Sequence, residues 1–235
     1  MAPVAQKLNV AGGPDIAANV AAIHERIAST ARSAGRLPED VTLVAVSKTF
    51  PAGLIAQAAQ TGVRHFGENW IQEAAEKLPG LADLTPKPVW HMVGHLQTNK
   101  VKTALELFDV IESVDSVHLG EAIARRAGGR KVQVLLEVNV AGEASKFGFR
   151  LEEVAGAVAA LRPLLDVRGL MTVAPEGPNP EQVRPVFKTL KDLADAEGLT
   201  ELSMGMSEDF EIAIQEGATL VRLGRAVFGQ RSLRQ

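Results

Sequence analysis

Short apolar runs alternate with helical patterns along most of the chain. A first helix is predicted between Asp15, a suitable N-cap, and Gly35, which is placed to end it, because apolar residues recur there at helical spacing. Eight apolar runs are then predicted to be strands, at residues 42–46, 64–66, 89–93, 110–112, 132–138, 167–172, 201–203 and 219–223. Helical stretches fill almost every interval, at 52–61, 69–78, 97–107, 116–127, 151–162, 180–197 and 208–216.

This alternation predicts the fold class. Strands that alternate with helices indicate βαβ units and a parallel sheet, and eight such units close into a barrel. We therefore expect an α/β protein, a single (β/α)8 TIM barrel with an extra N-terminal helix. An open doubly wound sheet is the main alternative. Residues 1–14 contain two prolines and two glycines and are predicted to be a flexible leader, which leaves 15–235 as one domain.

Composition excludes several functions. The chain has 235 residues, 46% of them hydrophobic, which is enough for one large core. A net charge of −3 argues against a nucleic-acid partner. The absence of cysteine excludes disulfides, thiolate metal ligands and thiol catalysis. With no run of 18 apolar residues and no signal-peptide pattern, we expect no membrane association and a cytoplasmic location.

The first two strands end in polar residues that suit a binding site. Active sites of such barrels lie at the C-terminal ends of the strands. Lys48 follows the first strand, and either its amine reaches solvent or it is held in a partly apolar mouth, where a lowered pKa suits Schiff-base formation. Asn69 follows the second strand after Gly67 and Glu68. It offers a donor and an acceptor to a ligand, and Asn69 or Glu68 is also suited to cap the next helix, two roles that can hold together.

The third and sixth strands give weaker signals. His91 and His95 lie four apart on or after a strand, a separation of about 13 Å, and no acidic ligand is near in sequence. A zinc site is therefore not expected, and His91 is predicted to be a core or a hydrogen-bonded histidine. Met171 is predicted to pack in the core, or against a flat ring if it points into the barrel mouth.

The last two strands indicate an anion site. Gly205 permits a tight turn after the seventh strand, and Ser207 is predicted to open the following helix, as a cap or as part of an anion site. Arg222 lies within the apolar eighth strand and needs a buried partner. Gly224 and Arg225 follow it. Phosphate sites in these barrels frequently use the loops after strands 7 and 8.

Six stretches carry a family resemblance, in order along the chain: 44–49 (VAVSKT), 66–69 (FGEN), 90–100 (WHMVGHLQTNK), 169–171 (GLM), 202–207 (LSMGMS) and 221–224 (VRLG). Together they resemble the pyridoxal phosphate homeostasis protein family, which is similar to the N-terminal domain of alanine racemase. The resemblance runs from about residue 15 to the end. It implies a fold-type III barrel that holds one pyridoxal 5′-phosphate (PLP).

The resemblance also implies residue roles. Lys48 matches the lysine that forms the Schiff base, Asn69 a residue beside the cofactor ring, and Arg222 the arginine that faces the pyridine nitrogen. The phosphate cradle is matched by residues after the last two strands: Gly205, Ser207, Gly224 and Arg225. Arg225 departs from the pattern, because many relatives carry a small hydroxyl residue there. His95 stands where some members have proline.

A carrier or regulator of PLP, rather than a turnover enzyme, is the expected function. Arginine cannot accept the ring nitrogen's proton, which weakens the cofactor as an electron sink. In alanine racemases the second base is a tyrosine from a separate C-terminal domain of the partner subunit. This chain has no tyrosine, and only about a dozen residues follow the eighth strand. The resemblance implies PLP homeostasis, with PLP-dependent apoenzymes as possible transient partners and a monomer as the simpler state.

Three alternatives remain open. A small PLP-dependent amino-acid racemase would turn over amino acids in a manner that depends on Lys48. A barrel enzyme of the aldolase kind would use Lys48 with a sugar phosphate. A pure interaction protein would not need Lys48. If the Schiff base does not form on Lys48, Lys146 is the next candidate.

Overall fold

The eight strands form one closed parallel barrel. The computed structural model describes residues 14–175 and 180–230. The strands are β1 (Thr42–Val46), β2 (His65–Glu68), β3 (Val89–Met92), β4 (Val110–Val114), β5 (Gln133–Glu137), β6 (Asp166–Met171), β7 (Glu201–Ser203) and β8 (Leu220–Leu223). Each strand pairs with the next, and β8 pairs with β1. This confirms the predicted (β/α)8 barrel and excludes the open sheet.

A helix follows each strand on the outside of the barrel. These helices are α2 (Ala52–Gln60), α3 (Ile71–Lys77), α4 (Val101–Leu107), α5 (Val117–Ala127), α6 (Val154–Leu161), α7 (Arg184–Ala196), α8 (Phe210–Gln215) and α9 (Arg225–Phe228). Their apolar faces pack with the outward-facing strand residues into one core. Among the described residues, no helix is both long enough and apolar enough to cross a bilayer.

The extra N-terminal helix, α1 (Ile16–Ser33), is also confirmed. The Asp15 side chain caps it by accepting a hydrogen bond from the Ala18 N–H at 3.0 Å, and Gly35 follows its end with φ +69°. α1 packs against α2, α8 and α9 and so covers the side of the barrel where the chain closes. Of the predicted leader 1–14, all but Pro14 lies outside the described residues.

Several element boundaries differ from the predicted ones for a physical reason. β4 continues to Val114, beyond the predicted end at Glu112. The apolar pattern stops early because Glu112 and Ser113 are polar, but both side chains are fully buried within the strand. The helices α4, α6 and α7 begin three or four residues late because single 3₁₀ turns precede them, at residues 98–100, 151–153 and 180–183. Periodicity of apolar residues does not distinguish such a turn from the first turn of an α-helix.

Two predicted helix starts are wrong. α3 begins at Ile71 with Trp70 as its N-cap and no capping side chain, so neither Glu68 nor Asn69 caps it. α8 begins at Phe210 with Asp209 as its N-cap, so Ser207 does not open that helix. Instead, the Asp209 carboxylate accepts the Met206 N–H at 2.6 Å, and this contact closes a separate turn before the helix.

Glycine at position 169 lets β6 approach β7 closely. A Cβ atom there would lie 1.8 Å from the carbonyl oxygen of Glu201 and 2.5 Å from its carbonyl carbon. Both are backbone atoms of the paired strand, so neither can move without separating the sheet.

We predict that Gly169→Ala destabilises the fold by about 2 kcal/mol or more, because the added methyl group has no space. Gly156→Ala is the matched control: Gly156 is exposed on α6, an added Cβ would meet no atom within 4 Å, and alanine there should stabilise by about 0.5–1 kcal/mol. Urea unfolding of both variants measures the difference. Equal midpoints would contradict the close approach of β6 and β7.

Candidate functional site

The eight residues predicted to bind the cofactor belong to five neighbouring strands. They are Lys48 after β1, Asn69 after β2, Met171 at the end of β6, Gly205 and Ser207 after β7, Arg222 within β8, and Gly224 and Arg225 after β8. The strand order around the barrel is β6-β7-β8-β1-β2 without interruption. All eight therefore lie along one side of the barrel, seven at the C-terminal mouth and Arg222 in the strand leading to it.

Lys48 lies in a tight turn at the end of β1. The Phe50 N–H donates to the Ser47 carbonyl at 3.1 Å, so Lys48 and Thr49 are the two central residues. Thr49 has φ +68°, a conformation that is rare for a β-branched residue and usually selects glycine or asparagine. Lys48 itself is half-buried. Backbone strain of this kind is found preferentially at functional sites.

Asn69 lies beside this turn. The Ser47 N–H donates to the Gly67 carbonyl at 2.9 Å, which joins the end of β1 to the end of β2. Asn69 follows two residues later and is half-buried. Its side chain is not used as a helix cap, because α3 begins beyond Trp70. Asn69 therefore follows a strand end that is hydrogen-bonded to the start of the Lys48 turn.

The turns after β7 and β8 contact each other. The Arg222 N–H donates to the Gly205 carbonyl at 3.0 Å, and the Ala226 N–H donates to the Ser207 hydroxyl at 3.4 Å. Gly205 has φ +94°, and a Cβ there would lie 2.6 Å from the Cβ of Ala213, so only glycine fits this turn. The predicted anion site is thus a pair of joined turns rather than the first turn of α8.

Arg225 and Met171 lie differently with respect to these turns. Arg225 is exposed, and its guanidinium is 3.4 Å from the Glu208 carboxylate, also exposed. Such a surface pair is weak. Met171 is fully buried. In β6, Arg168 is exposed and Leu170 packs in the outer core, so strand alternation directs Met171 into the barrel.

Arg222 has the buried partners that its position requires. Its side chain donates to the Ser203 hydroxyl at 2.6 Å and to the Thr172 carbonyl at 2.7 Å. Ser203 in turn donates to the Glu112 carboxylate at 2.5 Å. Burial lowers the pKa of Arg222, but the carboxylates of Glu112, Glu137 and Asp209 oppose that shift. The positive charge of the guanidinium is therefore balanced by carboxylates within the barrel.

The same chain of contacts continues through His91 to His65. His91 Nδ1 lies 2.6 Å from the other Glu112 oxygen, and His91 Nε2 lies 2.9 Å from His65 Nδ1. Every link has a donor and an acceptor when Glu112 is ionised and His65 is neutral. Burial alone would raise the pKa of Glu112, but the contacts with His91, Arg222 and Ser203 outweigh it and lower the pKa. Burial and the neighbouring His91 lower the pKa of His65 to about 4.

His91 is thus a hydrogen-bonded core residue, as predicted, and it is 2% exposed. We call the contacts that join Arg222, Ser203, Glu112, His91 and His65 the interior relay. Sequence reasoning identifies Arg222 and His91 but not what joins them. Glu112 and Ser203 make that connection, and the one sign of them in the sequence is that each is a polar residue at the end of an otherwise apolar run. Within the described residues, no cluster of three metal-binding side chains occurs.

Two further acidic residues, Glu137 and Asp115, lie on the side of the barrel mouth opposite Lys48. Burial and the charge of Asp115 raise the pKa of Glu137 to about 7, although Arg222 opposes the shift. Asp115 also pairs with His95 at 3.0 Å, and the His95 ring stacks on Phe147 with centroids 3.8 Å apart. A cavity of about 490 Å³ is lined by His95 and Asp115, and none of the eight predicted cofactor-binding residues lines it.

Lys146, the alternative to Lys48, is held by the loops on another side of the mouth. Its amine donates to the carbonyls of Val173 and Ala174 at 3.3 and 3.2 Å and pairs with Glu143 at 2.6 Å. These contacts tie the loop after β5 to the loop after β6. Lys146 therefore serves a local structural purpose there.

Glu137 should make the fold less stable as pH rises. Because its pKa is about 7 in the folded chain and 4.5 ordinarily, the folded state holds a proton between these values that the unfolded state has released. The contribution of Glu137 to the free energy of unfolding therefore falls between about pH 4.5 and 7 and is level on either side. We predict that Glu137→Gln flattens this fall, whereas Glu39→Gln, at an exposed site, does not. Chemical denaturation across that pH range measures it, and an unchanged slope in Glu137→Gln would be the contrary result.

Comparison with known proteins identifies the family. The family model of the alanine racemase N-terminal domain matches residues 18–232. A pyridoxal phosphate homeostasis protein of Pseudomonas aeruginosa is 43% identical over 222 residues, which is 92% of this chain and 96% of that protein. The protein of the same name in Escherichia coli is 39% identical over 231 residues, with coverage of 92% and 97%.

Solved structures agree. PipY of Synechococcus elongatus, in its structure with PLP bound, superposes with a TM-score of 0.77 at 38% identity, covering 91% of this chain and all (100%) of that one. Alanine racemase of Clostridium difficile superposes with a TM-score of 0.65 at 17% identity, covering 88% of this chain but 56% of that one, and this likeness shows the fold alone. The predicted family is thus confirmed: this chain belongs to the alanine racemase N-terminal domain family and, within it, to the pyridoxal phosphate homeostasis proteins.

Proposed function

We propose that this chain binds PLP at the C-terminal mouth of the barrel, as a Schiff base on Lys48, and takes part in PLP homeostasis. The observation that carries this proposal is the grouping of an amine, a buried guanidinium and two joined glycine turns on three neighbouring strands, β7, β8 and β1. The names of the relatives and the PLP in PipY supply the ligand's identity.

The chemistry of the grouped residues fits each part of this ligand. An aldehyde needs an amine, which is Lys48. A phosphate needs several hydrogen-bond donors and space for close approach, which the turns at Gly205–Ser207 and Gly224 offer. A flat ring needs an apolar contact, for which Met171 lies inside the barrel, and Asn69 offers a polar contact at its edge.

Arg222 is one of two reasons to propose a carrier rather than a catalyst. It does not exclude racemisation by itself, because alanine racemases tolerate an arginine there, and the absence of tyrosine as a second base is the stronger reason. PLP, when bound, supplies an electron sink, and the sink is strongest when the ring nitrogen is protonated. A guanidinium facing that nitrogen has no lone pair with which to hold a proton there. The interior relay fixes this guanidinium in place and keeps it charged. Carbanion chemistry is thereby restrained, while Schiff-base formation is not.

One observation favours a second candidate function, an amino-acid racemase. Glu137 lies at the end of β5, opposite β1 in the barrel, and its pKa of about 7 suits a general base. Against it stands the absence of tyrosine, the residue that serves as second base in alanine racemases. Solvent deuterium exchange at Cα of alanine, lost in both Lys48→Ala and Glu137→Gln, would decide for the racemase.

The setting of this function is part of the proposal. We propose a monomeric, cytoplasmic protein that passes PLP to apoenzymes through transient contacts. Size-exclusion chromatography with light scattering tests the monomer. Transfer of PLP to an apoenzyme, compared with release into buffer at the same protein concentration, tests direct delivery.

Lys48→Ala should abolish the visible absorption band that forms when PLP is added to the protein. Removal of the amine leaves only noncovalent binding through the phosphate turns, so borohydride should trap no pyridoxyl group on the protein. Lys146→Ala is the matched control and should keep both the band and the trapped product. A trapped product of equal yield in Lys48→Ala would show that another lysine carries the cofactor.

Ser207→Ala should weaken noncovalent binding by roughly 1–3 kcal/mol, since it removes a hydrogen bond to a charged group. Pyridoxamine 5′-phosphate, which has no aldehyde, isolates this contribution, and titration calorimetry measures it. Ser29→Ala, at an exposed position on α1, should bind as tightly as the unmodified chain. Unchanged affinity in Ser207→Ala would remove Ser207 from the phosphate site.

A further inference from the structure

The Lys77 ammonium holds both ends of the Lys48 turn. Lys77 is the last residue of α3, and its side chain is 8% exposed. Its amine donates to the carbonyl of Ser47 at 2.9 Å and to that of Phe50 at 3.2 Å. These two residues flank Lys48 and Thr49, so one buried cation joins the start of the turn to its end.

Two carboxylates complete this contact. Glu68, which is fully buried, lies 2.6 Å from the Lys77 amine and also accepts the Ser47 hydroxyl at 2.6 Å. Glu73, one helical turn before Lys77, lies 2.8 Å from the same amine and accepts the Thr49 N–H at 2.6 Å. Each carboxylate therefore contacts both the cation and the turn. We call Lys77, Glu68 and Glu73 the turn clamp.

The turn needs such a clamp because it is strained. A β-branched residue at φ +68° is in an unfavourable backbone conformation, which persists only where its surroundings impose it. The Thr49 N–H and the two carbonyls around it point at members of the turn clamp. Without these contacts, Thr49 would return to an ordinary backbone conformation, and the backbone of Lys48 would turn with it.

We propose that Lys77 is a positioning residue for Lys48: the turn clamp fixes the direction in which the Lys48 amine enters the barrel mouth. This inference rests on the proposed role of Lys48 as the PLP anchor and adds what orients it. Attack on an aldehyde requires the amine at a set angle and distance, and a small displacement slows such a reaction strongly. The phosphate turns after β7 and β8 are held by contacts of their own, from the Arg222 N–H to Gly205 and from the Ala226 N–H to Ser207.

The proposal separates two quantities that a purely structural role would change together. Lys77→Met keeps the length and apolar stem of the side chain and removes the charge. We expect the rate of Schiff-base formation with PLP, followed by stopped-flow absorbance, to fall by about tenfold or more. Affinity for pyridoxamine 5′-phosphate, which uses the ring and phosphate contacts alone, should change by less than about twofold.

A second variant covers the case in which Lys77→Met does not fold, since Glu68 would then be buried without its cation. Glu73 is 26% exposed, so Glu73→Ala should fold, and it removes the acceptor of the Thr49 N–H. It should slow Schiff-base formation in the same way, by a smaller factor. Glu76→Ala is the matched control, because Glu76 is exposed on the same helix.

Each outcome decides between the claims. A slower reaction with unchanged pyridoxamine 5′-phosphate affinity supports the positioning role. Equal losses in rate and affinity, or no loss in either, overturn it and leave the clamp as a stability element. If the unmodified chain forms no Schiff base on Lys48, the proposed function itself fails, and the result is distinct from a failure of Lys77 alone.

Discussion

A guanidinium buried inside a barrel is stable only if nearby groups balance its charge. Arg222 carries such a guanidinium, since it is only 5% exposed. Its balance comes from Glu112 on the opposite side of the barrel, through the hydroxyl of Ser203. Glu112 is in turn held by His91, so removing any member would leave a buried polar group without its partner. Arg222 therefore requires the other polar residues at the centre of the barrel, and Arg222 is the residue that we propose restrains the chemistry of the cofactor.

The closed barrel brings this polar interior next to the Lys48 turn. Val44 in β1 pairs with Arg222 on one side and His65 on the other, so the two ends of the interior relay lie on the strands that flank β1. The turn clamp holds the end of β1 from outside, through α3. The backbone of the Lys48 turn and the Arg222 guanidinium are thus each held by separate buried contacts. A ligand that needs both does not have to order them on binding, which favours affinity.

The sequence predicts the architecture and much of the site for different reasons. The barrel follows from local periodicity, which is present in each segment, and the placement of Lys48, Asn69 and Arg222 follows from the rule that sites lie at strand ends. The partners of Arg222 could not be predicted, because Ser203 and Glu112 come from strands far apart in sequence and meet only when the barrel closes. The turn clamp could not be predicted for the same reason, since Lys77 and Glu73 have the spacing of an ordinary exposed helical pair.

The most direct test of the account is the protonation state of the ring nitrogen in the bound cofactor. Nitrogen-15 NMR of the chain loaded with ¹⁵N-labelled PLP reports it through the chemical shift. Because Arg222 has no lone pair to accept a proton and is fixed by Ser203 and Thr172, the account predicts an unprotonated nitrogen at neutral pH. A protonated nitrogen at neutral pH would contradict the placement of Arg222 opposite the ring and, with it, the part of the case for a carrier that rests on Arg222.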